Sequence, residues 1–480
     1  MTDLARLGVV ELSGVLQRRE ASASEVAAIL LERIRNVDGT HSHEGDSGSI
    51  NAWVRVYEED ALAAAARADE RLSEAGVRRD GPAPALTGVP IGLKDLYAVA
   101  GKPVTASSTL LHDVPTEDCD PWRRLSEAGM VLLGHLHTHE FAAGGTTDQV
   151  GSPWALDRSA GGSSGGSGAA LAARMTPAAT GTDTAGSLRI PSACCGTSTI
   201  KPTRATVSLA GVVPLSWSLD HAGPMARTLA DCAVLLEAMA GPDRRRAESA
   251  LHASWVETGG PTSLEGSRVA VSPRLGSVDL DPDVAAGFER ALEECRRLGA
   301  TIVEPPSPGL PDAVGQDFVD VLTTEMLVYH RRFDAARDAY RPSLREWVET
   351  GERRAMSGEE YVAAQERRKE ATGAWSAWLA EHRVDALLEP TIPVVAPLRG
   401  EGYDHAGTDY ALISLTHLWD WTGLPVAAIP SGVGGRTGLP VGVSLVGPAG
   451  TDGRLLALGV ALQAELGIPE PPGLGLWLRA

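Results

Sequence analysis

The sequence predicts an α/β protein built as one large domain, a sheet flanked by helices, and three observations lead there. From Leu86 onward, short apolar runs alternate with longer amphipathic stretches, the texture of strands buried between helices. Hydrophobic residues make 43% of the 480 and charged residues 22%, enough for a large core and too apolar for a disordered or fibrous chain. No internal repeat and no break in composition marks a second unit, although length alone allows roughly three domains.

The elements follow in order. Ser22-Ala-Ser-Glu25 is a capping-box pattern, and Val26, Ile29, Leu30 and Ile34 then recur at helical spacing. His41 to Ser49 reads as an exposed loop without an apolar anchor. Glu58 to Ala75 is rich in alanine and charge, a surface helix. Val89 to Leu93 and Met130 to Leu133 read as buried strands, and Ala169 to Ala173 as a helix. Residues 243 to 303 keep an α/β texture. Tyr361 to His382 is a charged helix whose Trp375 and Trp378, three apart, pack into the core. Val426 to Ile429 and Leu439 to Val446 are strand-like, and a helix around Leu455 to Leu462 ends the pattern.

A net charge of −19 and a pI near 5.1 argue against nucleic acid or a membrane surface as partner, since both attract positive fields. No apolar run reaches the ~18 residues that span a bilayer. The start, MTDLARLGVVELSG, lacks a basic region followed by an apolar one. The five cysteines (Cys119, Cys194, Cys195, Cys232, Cys295) are sparse and without metal spacing, as expected of reduced thiols in a cytoplasm.

Glycine (53) and proline (31) are in excess, and residues 144 to 186 alone hold ten glycines. A flexible linker is the ordinary reading of such a stretch. This one runs directly into the Ala169 to Ala173 helix, so glycine that permits close backbone approach is the better account.

Three segments carry chemistry. Gly88-Val-Pro-Ile-Gly-Leu-Lys-Asp-Leu96 places one lysine after an apolar strand. It is either a snorkelling surface residue or a buried one, whose desolvation lowers the pKa by several units and leaves a neutral amine able to act as a base. Gly161-Gly-Ser-Ser-Gly-Gly-Ser167 and Gly181-Thr-Asp-Thr-Ala-Gly-Ser-Leu-Arg-Ile-Pro191 place serines among small residues. Neither has the Gly-Lys-Ser/Thr ending of a phosphate loop.

Together these segments resemble the amidase signature family of serine hydrolases. The resemblance runs continuously from Gly161 to Thr203, with flanking matches at Gly134 to Ala142, Ser218 to Met225, Gly423-Leu-Pro425 and Gly438 to Gly442. It implies Ser187 as nucleophile, Ser163 as a bridging serine after a cis peptide bond, and Lys94 as general base. A serine hydroxyl needs a neighbour to take its proton; a neutral lysine can accept it, and an intervening hydroxyl relays it without net charge. The resemblance further implies an oxyanion hole from the amides of Thr184, Ala185, Gly186 and Ser187. It implies a mixed central β-sheet flanked by helices and divides the chain into a helical part (1–80), a catalytic core (86–240) and a variable substrate-pocket segment (about 305–420), with no cofactor or metal. Two departures stand out. Ala185 replaces a glycine of many members and fits only if it avoids positive φ, and Thr199 stands where glycine is usual.

Other ionisable residues have blander readings. Asp183 and Arg189 read as a buried pair shaping the loop, and Lys201 as structural. His135, His137 and His139 would share a strand face and could bind metal, but lack a carboxylate partner; His139-Glu-Phe-Ala142 instead matches a segment lining the acyl pocket in relatives. A Ser-His-Asp arrangement through His221 ranks below the lysine route.

For the substrate, the expectation is a small-molecule carboxamide, with aryl amides, esters or carbamates as further candidates. Candidate pocket residues are His139, Phe141, Ile413, Trp419 and Trp421. The alternative is the glutaminase subunit of a tRNA-dependent amidotransferase, which in the family grips glutamine with an arginine and an aspartate. Arg368 matches the arginine by a rough alignment, while Ile413 occupies the aspartate's place. A third reading is a non-catalytic binding subunit; the joint retention of Lys94, Ser163 and Ser187 speaks against it. The expected partners are the substrate alone, in a monomer or homodimer without nucleic acid or membrane.

Overall fold

In the computed structural model, which describes residues 3–75, 84–243, 263–309, 314–400, 402 and 409–473, thirteen strands form among the described residues, including the four that the apolar runs predict. They are β1 (Trp53–Val56), β2 (Pro90–Lys94), β3 (Val131–Leu136), β4 (Gly151–Ser152), β5 (Ala155–Ser159), β6 (Ala178–Asp183), β7 (Ser198–Lys201), β8 (His221–Ala226), β9 (Arg268–Val271), β10 (Thr301–Val303), β11 (Ala386–Pro390), β12 (Val426–Val433) and β13 (Pro440–Val446). Eleven of them make one mixed sheet in the order β1-β3-β2-β6-β8-β7-β12-β13-β11-β9-β10, and β4 pairs with β5. The molecule is thus a single α/β domain on a mixed sheet flanked by helices.

Every residue of β2 and of β6 is buried. Strands covered on both faces read as continuous apolar or small-residue runs rather than alternating ones, which is why Val89 to Leu93 shows no polar face. These two strands are parallel neighbours, Ile91 opposite Ala178. Their C-terminal ends, Lys94 and Asp183, therefore emerge on the same edge of the sheet, where α/β folds place their ligands.

Two of the predicted helices begin where a serine side chain satisfies a first-turn amide. The Ala23–Val37 helix is capped by Ser22, whose Oγ accepts the Glu25 N–H at 3.0 Å, and Glu58–Ala75 is helical throughout. The helix read from Tyr361 starts earlier, as Gly358–Glu381, because Ser357 and Glu360 form a reciprocal capping box. On it, Trp375 and Trp378 are buried and meet edge to face, centroids 5.4 Å apart. The α/β texture of 243 to 303 resolves into β9, the Pro282–Arg297 helix and β10, with 244 to 262 outside the described residues. Among the described residues no helix is long and apolar enough to cross a membrane.

Candidate active site

The site is assembled from three chain segments at the edge where β2 and β6 end. Lys94, the last residue of β2, is completely buried. Its backbone N–H donates to Thr180 Oγ1 on β6 at 3.1 Å, which registers the two strands. Its Nζ is bonded to Ser163 Oγ (2.7 Å), Ser164 Oγ (2.8 Å) and Thr182 Oγ1 (2.8 Å). All three partners are hydroxyls; none is a carboxylate. Burial pulls the lysine pKa down to about 7, against the more distant pull of Asp183 and Asp220. A neutral amine donates two hydrogen bonds and accepts one, so three hydroxyls satisfy it as well as they satisfy the ammonium. The group is poised to gain or lose a proton near neutrality.

Ser163 follows a cis peptide bond from Gly162. A Cβ at Gly162 would lie 2.1 Å from the Thr146 carbonyl oxygen, so only glycine admits that approach. The glycine-rich stretch is packed backbone and not a linker: Gly165, Gly166 and Gly168 are buried within the Gly165–Ala172 helix.

Ser187 lies between β6 and the short Arg189–Cys195 helix and is 6% exposed, at the wall of a narrow cleft. The loop before it is held from beneath by Asp183. That carboxylate accepts the Gly186 N–H (2.5 Å), the Leu188 N–H (3.2 Å) and two bonds from Arg189. Arg189 in turn donates to Asp420 Oδ2 (2.6 Å) and to the Thr416 carbonyl (3.0 Å), while the Thr416 hydroxyl donates to the Ala185 carbonyl. Burial works to lower the Arg189 pKa, but Asp183 and Asp420 outweigh it and hold the group above its ordinary value. Asp220 holds the other end of the loop, accepting from Thr184 Oγ1 at 2.6 Å.

This arrangement corrects the expected oxyanion hole in one respect. The Gly186 amide is committed to Asp183 and is not free for a ligand. The amides of Thr184, Ala185 and Ser187 have no acceptor among the described residues. Gly186 is there for its conformation, φ +137°, and because a Cβ would meet Thr416 Oγ1 at 2.5 Å. Ala185 avoids positive φ, and it lines the cleft. Thr199 sits in β7 with its hydroxyl donating to the Pro224 carbonyl at 2.7 Å.

The cleft runs from Thr184, Ala185 and Ser187 to Phe318, Met326, Trp347 and Ile413. Of the five pocket residues expected from sequence, only Ile413 lines it. Trp419 is buried behind, donating to Glu389 Oε1 and packed on Trp375. Trp421 stacks beneath Arg368 and against Phe318, one layer back. Phe141 belongs to an aromatic cluster with Tyr329, His330, Phe333 and Tyr340. His139 Nδ1 donates to the Thr146 carbonyl and its Nε2 meets Ser343 Oγ, propping the loop whose Gly144 and Gly145 form the cleft wall. Arg368 does not reach the cleft either: its guanidinium holds the Trp421 and Ser218 carbonyls. Sequence reasoning missed Ser164 and Thr182 as lysine partners, though both lie in the quoted motifs; it had no signal for Trp347, Phe318 or Asp409.

The other candidates are bound up in structure. His135 pairs with Tyr57 Oη and the Tyr97 carbonyl, and His137 with Ser107 and Gln149, so the three rings address separate partners. His221 lies 3.4 Å from Asp420, not on Ser187. Lys201, buried, donates to the Pro202 carbonyl.

A buried lysine among hydroxyls and a serine on a strand-to-helix turn thus stand at the end of the sheet, with an apolar cleft above the serine. The chain belongs to the Amidase family, whose model matches residues 43–456. It is 35% identical to a glutamyl-tRNA(Gln) amidotransferase subunit of Corynebacterium glutamicum, over 96% of this chain and 97% of that one. Among solved structures it resembles an amidase (30% identity, TM-score 0.81, 96% of this chain and all of that one). It also resembles the corresponding glutamyl-tRNA(Gln) amidotransferase subunit of Thermotoga maritima (27%, TM-score 0.78, 98% of each chain). The names of these relatives match the glutaminase-subunit alternative better than the main amidase reading. They also overturn the expected partners. Relatives aligned over nearly their whole length are subunits of a glutamyl-tRNA(Gln) amidotransferase, against the expected monomer or homodimer without nucleic acid. Local acidity of one subunit says nothing about a surface supplied by another.

Proposed function

We propose that the chain hydrolyses a carboxamide through an acyl-enzyme on Ser187, with Ser163 relaying protons to Lys94. The observation that carries this reading is a fully buried lysine whose three Nζ partners are hydroxyls, one of them Ser163. Ser187 Oγ attacks the carbonyl carbon; its proton passes to Ser163 Oγ as the Ser163 proton passes to Lys94 Nζ. The tetrahedral oxyanion takes the unpartnered amides of the Thr184–Ser187 turn, where one fixed donor is worth ~3–4 kcal/mol. As the C–N bond breaks, the lysine proton returns through Ser163 to the leaving amine. Water then repeats the cycle on the acyl ester. The same acyl chemistry serves esters and carbamates.

The names of the relatives support amide hydrolysis of glutamine within a tRNA-dependent amidotransferase. The apolar cleft, in which neither Arg368 nor any other cation lies among the described residues, favours a second reading, hydrolysis of an amide with an apolar acyl group. We place the reaction in the cytoplasm, as five buried free cysteines suit, and assign acyl selection to the 305–420 segment. The test is turnover of glutamine, aliphatic amides, anilides, esters and carbamates, with and without partner subunits and tRNA. Ser187→Ala is expected to abolish every activity found; undiminished turnover in that variant excludes the assignment and leaves the binding-subunit reading.

A further inference from the structure

Among the described residues lining the cleft above Ser187, one side chain is ionisable. Asp409 opens the Asp409–Ile413 helix, one turn before Ile413 and on the same face, and both line the cavity. It is 3% exposed. One oxygen accepts the Gly145 N–H at 2.6 Å and the other the Trp347 Nε1–H at 3.3 Å. A carboxylate has about four acceptor positions, so two remain. The remaining wall is Ala142, Leu215, Phe318, Leu322, Met326 and the like, and among the described residues no cation pairs with Asp409. Burial, with Asp148 and Glu346 adding repulsion, pushes its pKa up to about 7. An acid buried in an apolar wall without a counter-charge is costly; a ligand that brings the counter-charge recovers that cost.

We propose that Asp409 is a specificity-determining residue that receives an ammonium group at the far end of the substrate's acyl chain. The inference rests on acyl transfer at Ser187 and names the substrate class: carboxamides with a short apolar acyl chain that carries a primary amine and no free carboxylate. The carboxylate is excluded because no described residue lining the cleft is cationic. Glutamine satisfies half of this description, through its amine.

The test has two arms. In the first, kcat/KM is measured for δ-aminovaleramide, valeramide and glutamine in the wild-type chain and in Asp409→Asn, which keeps size and an acceptor for Gly145. The wild type is expected to prefer δ-aminovaleramide over valeramide by about tenfold or more, and the variant to lose that ratio. Equal use of the two amides by the wild type overturns the proposal, as does a ratio unchanged in Asp409→Asn. In the second arm, calorimetry compares n-butylammonium, 1-butanol and butyrate on the wild-type chain, which requires no variant to fold. Tighter binding of the ammonium supports the proposal; binding of butyrate as tight as butylammonium overturns it. Ser187→Ala separates the two levels. If that variant keeps its turnover, the acyl-enzyme reading fails while the ammonium preference still stands or falls on calorimetry.

Discussion

Two buried basic side chains bond to neighbouring residues at the end of β6, Lys94 to Thr182 and Arg189 to Asp183, and what separates them is the chemistry of their partners. Lys94 is surrounded by hydroxyls and its pKa falls to about 7. Arg189 is clamped between Asp183 and Asp420, and its proton is held more firmly than in water. The same desolvation acts on both; the partners decide the outcome. With hydroxyl partners, Lys94 can exchange a proton near neutrality. With carboxylate partners, Arg189 becomes a fixed post, and the loop carrying Ser187 is fastened to it.

The comparison breaks most visibly if Lys94 is removed. Lys94→Ala is expected to lower kcat/KM for an amide by ~10²–10⁴-fold, the worth of a positioned general base. The loss for an ester should be smaller, because an alkoxide leaves without the proton an amine requires. Equal losses would count against the relay.

Arg189→Met tests the other side. It leaves Asp183 and Asp420 buried without their cation, so the chain is expected to lose ~3–5 kcal/mol of stability in denaturant unfolding. A loss below ~1 kcal/mol means that the post is dispensable.

A pH profile sharpens the contrast without a mutation. The base form of Lys94 is the deprotonated one, and its pKa lies at about 7. Below that pH, kcat/KM for an amide should fall about tenfold per unit, and above it level off. A profile flat from about pH 5 to about 9 contradicts a titrating lysine.

The smallest effect is expected from Thr182→Val, which takes one of three hydroxyls from Lys94 Nζ. A single hydrogen bond of ~1 kcal/mol corresponds to a roughly fivefold loss of kcat/KM, with the midpoint of the pH profile moving down as the ammonium loses an acceptor. No movement of the midpoint argues that Ser163 and Ser164 alone set it.

Much of this molecule is legible in its residues. The apolar runs became β2, β3, β12 and β13, and the Ser22 pattern became a helix start, because strand burial and capping are local properties of the chain. The motif serines and Lys94 were readable too. The meeting of Lys94 with Ser163 was not implied by periodicity, since 69 positions separate them; the family pattern supplied it. The pocket was the least readable part. Trp419 and Trp421, aromatic and near the right place, turned inward onto Glu389 and Arg368, while Phe318, Trp347 and Asp409 came from helices that no motif marks.

Sequence alone thus determined the α/β class, the small-residue loops and the chemical groups at the edge of the sheet. Tertiary structure decided which amides of the loop remain free, since Asp183 takes that of Gly186, and which side chains face the cleft. It also decided the protonation of each buried group. A lysine and an arginine are written in the sequence as two positive charges; only the neighbours brought by folding leave Lys94 titratable near neutrality and hold the proton on Arg189.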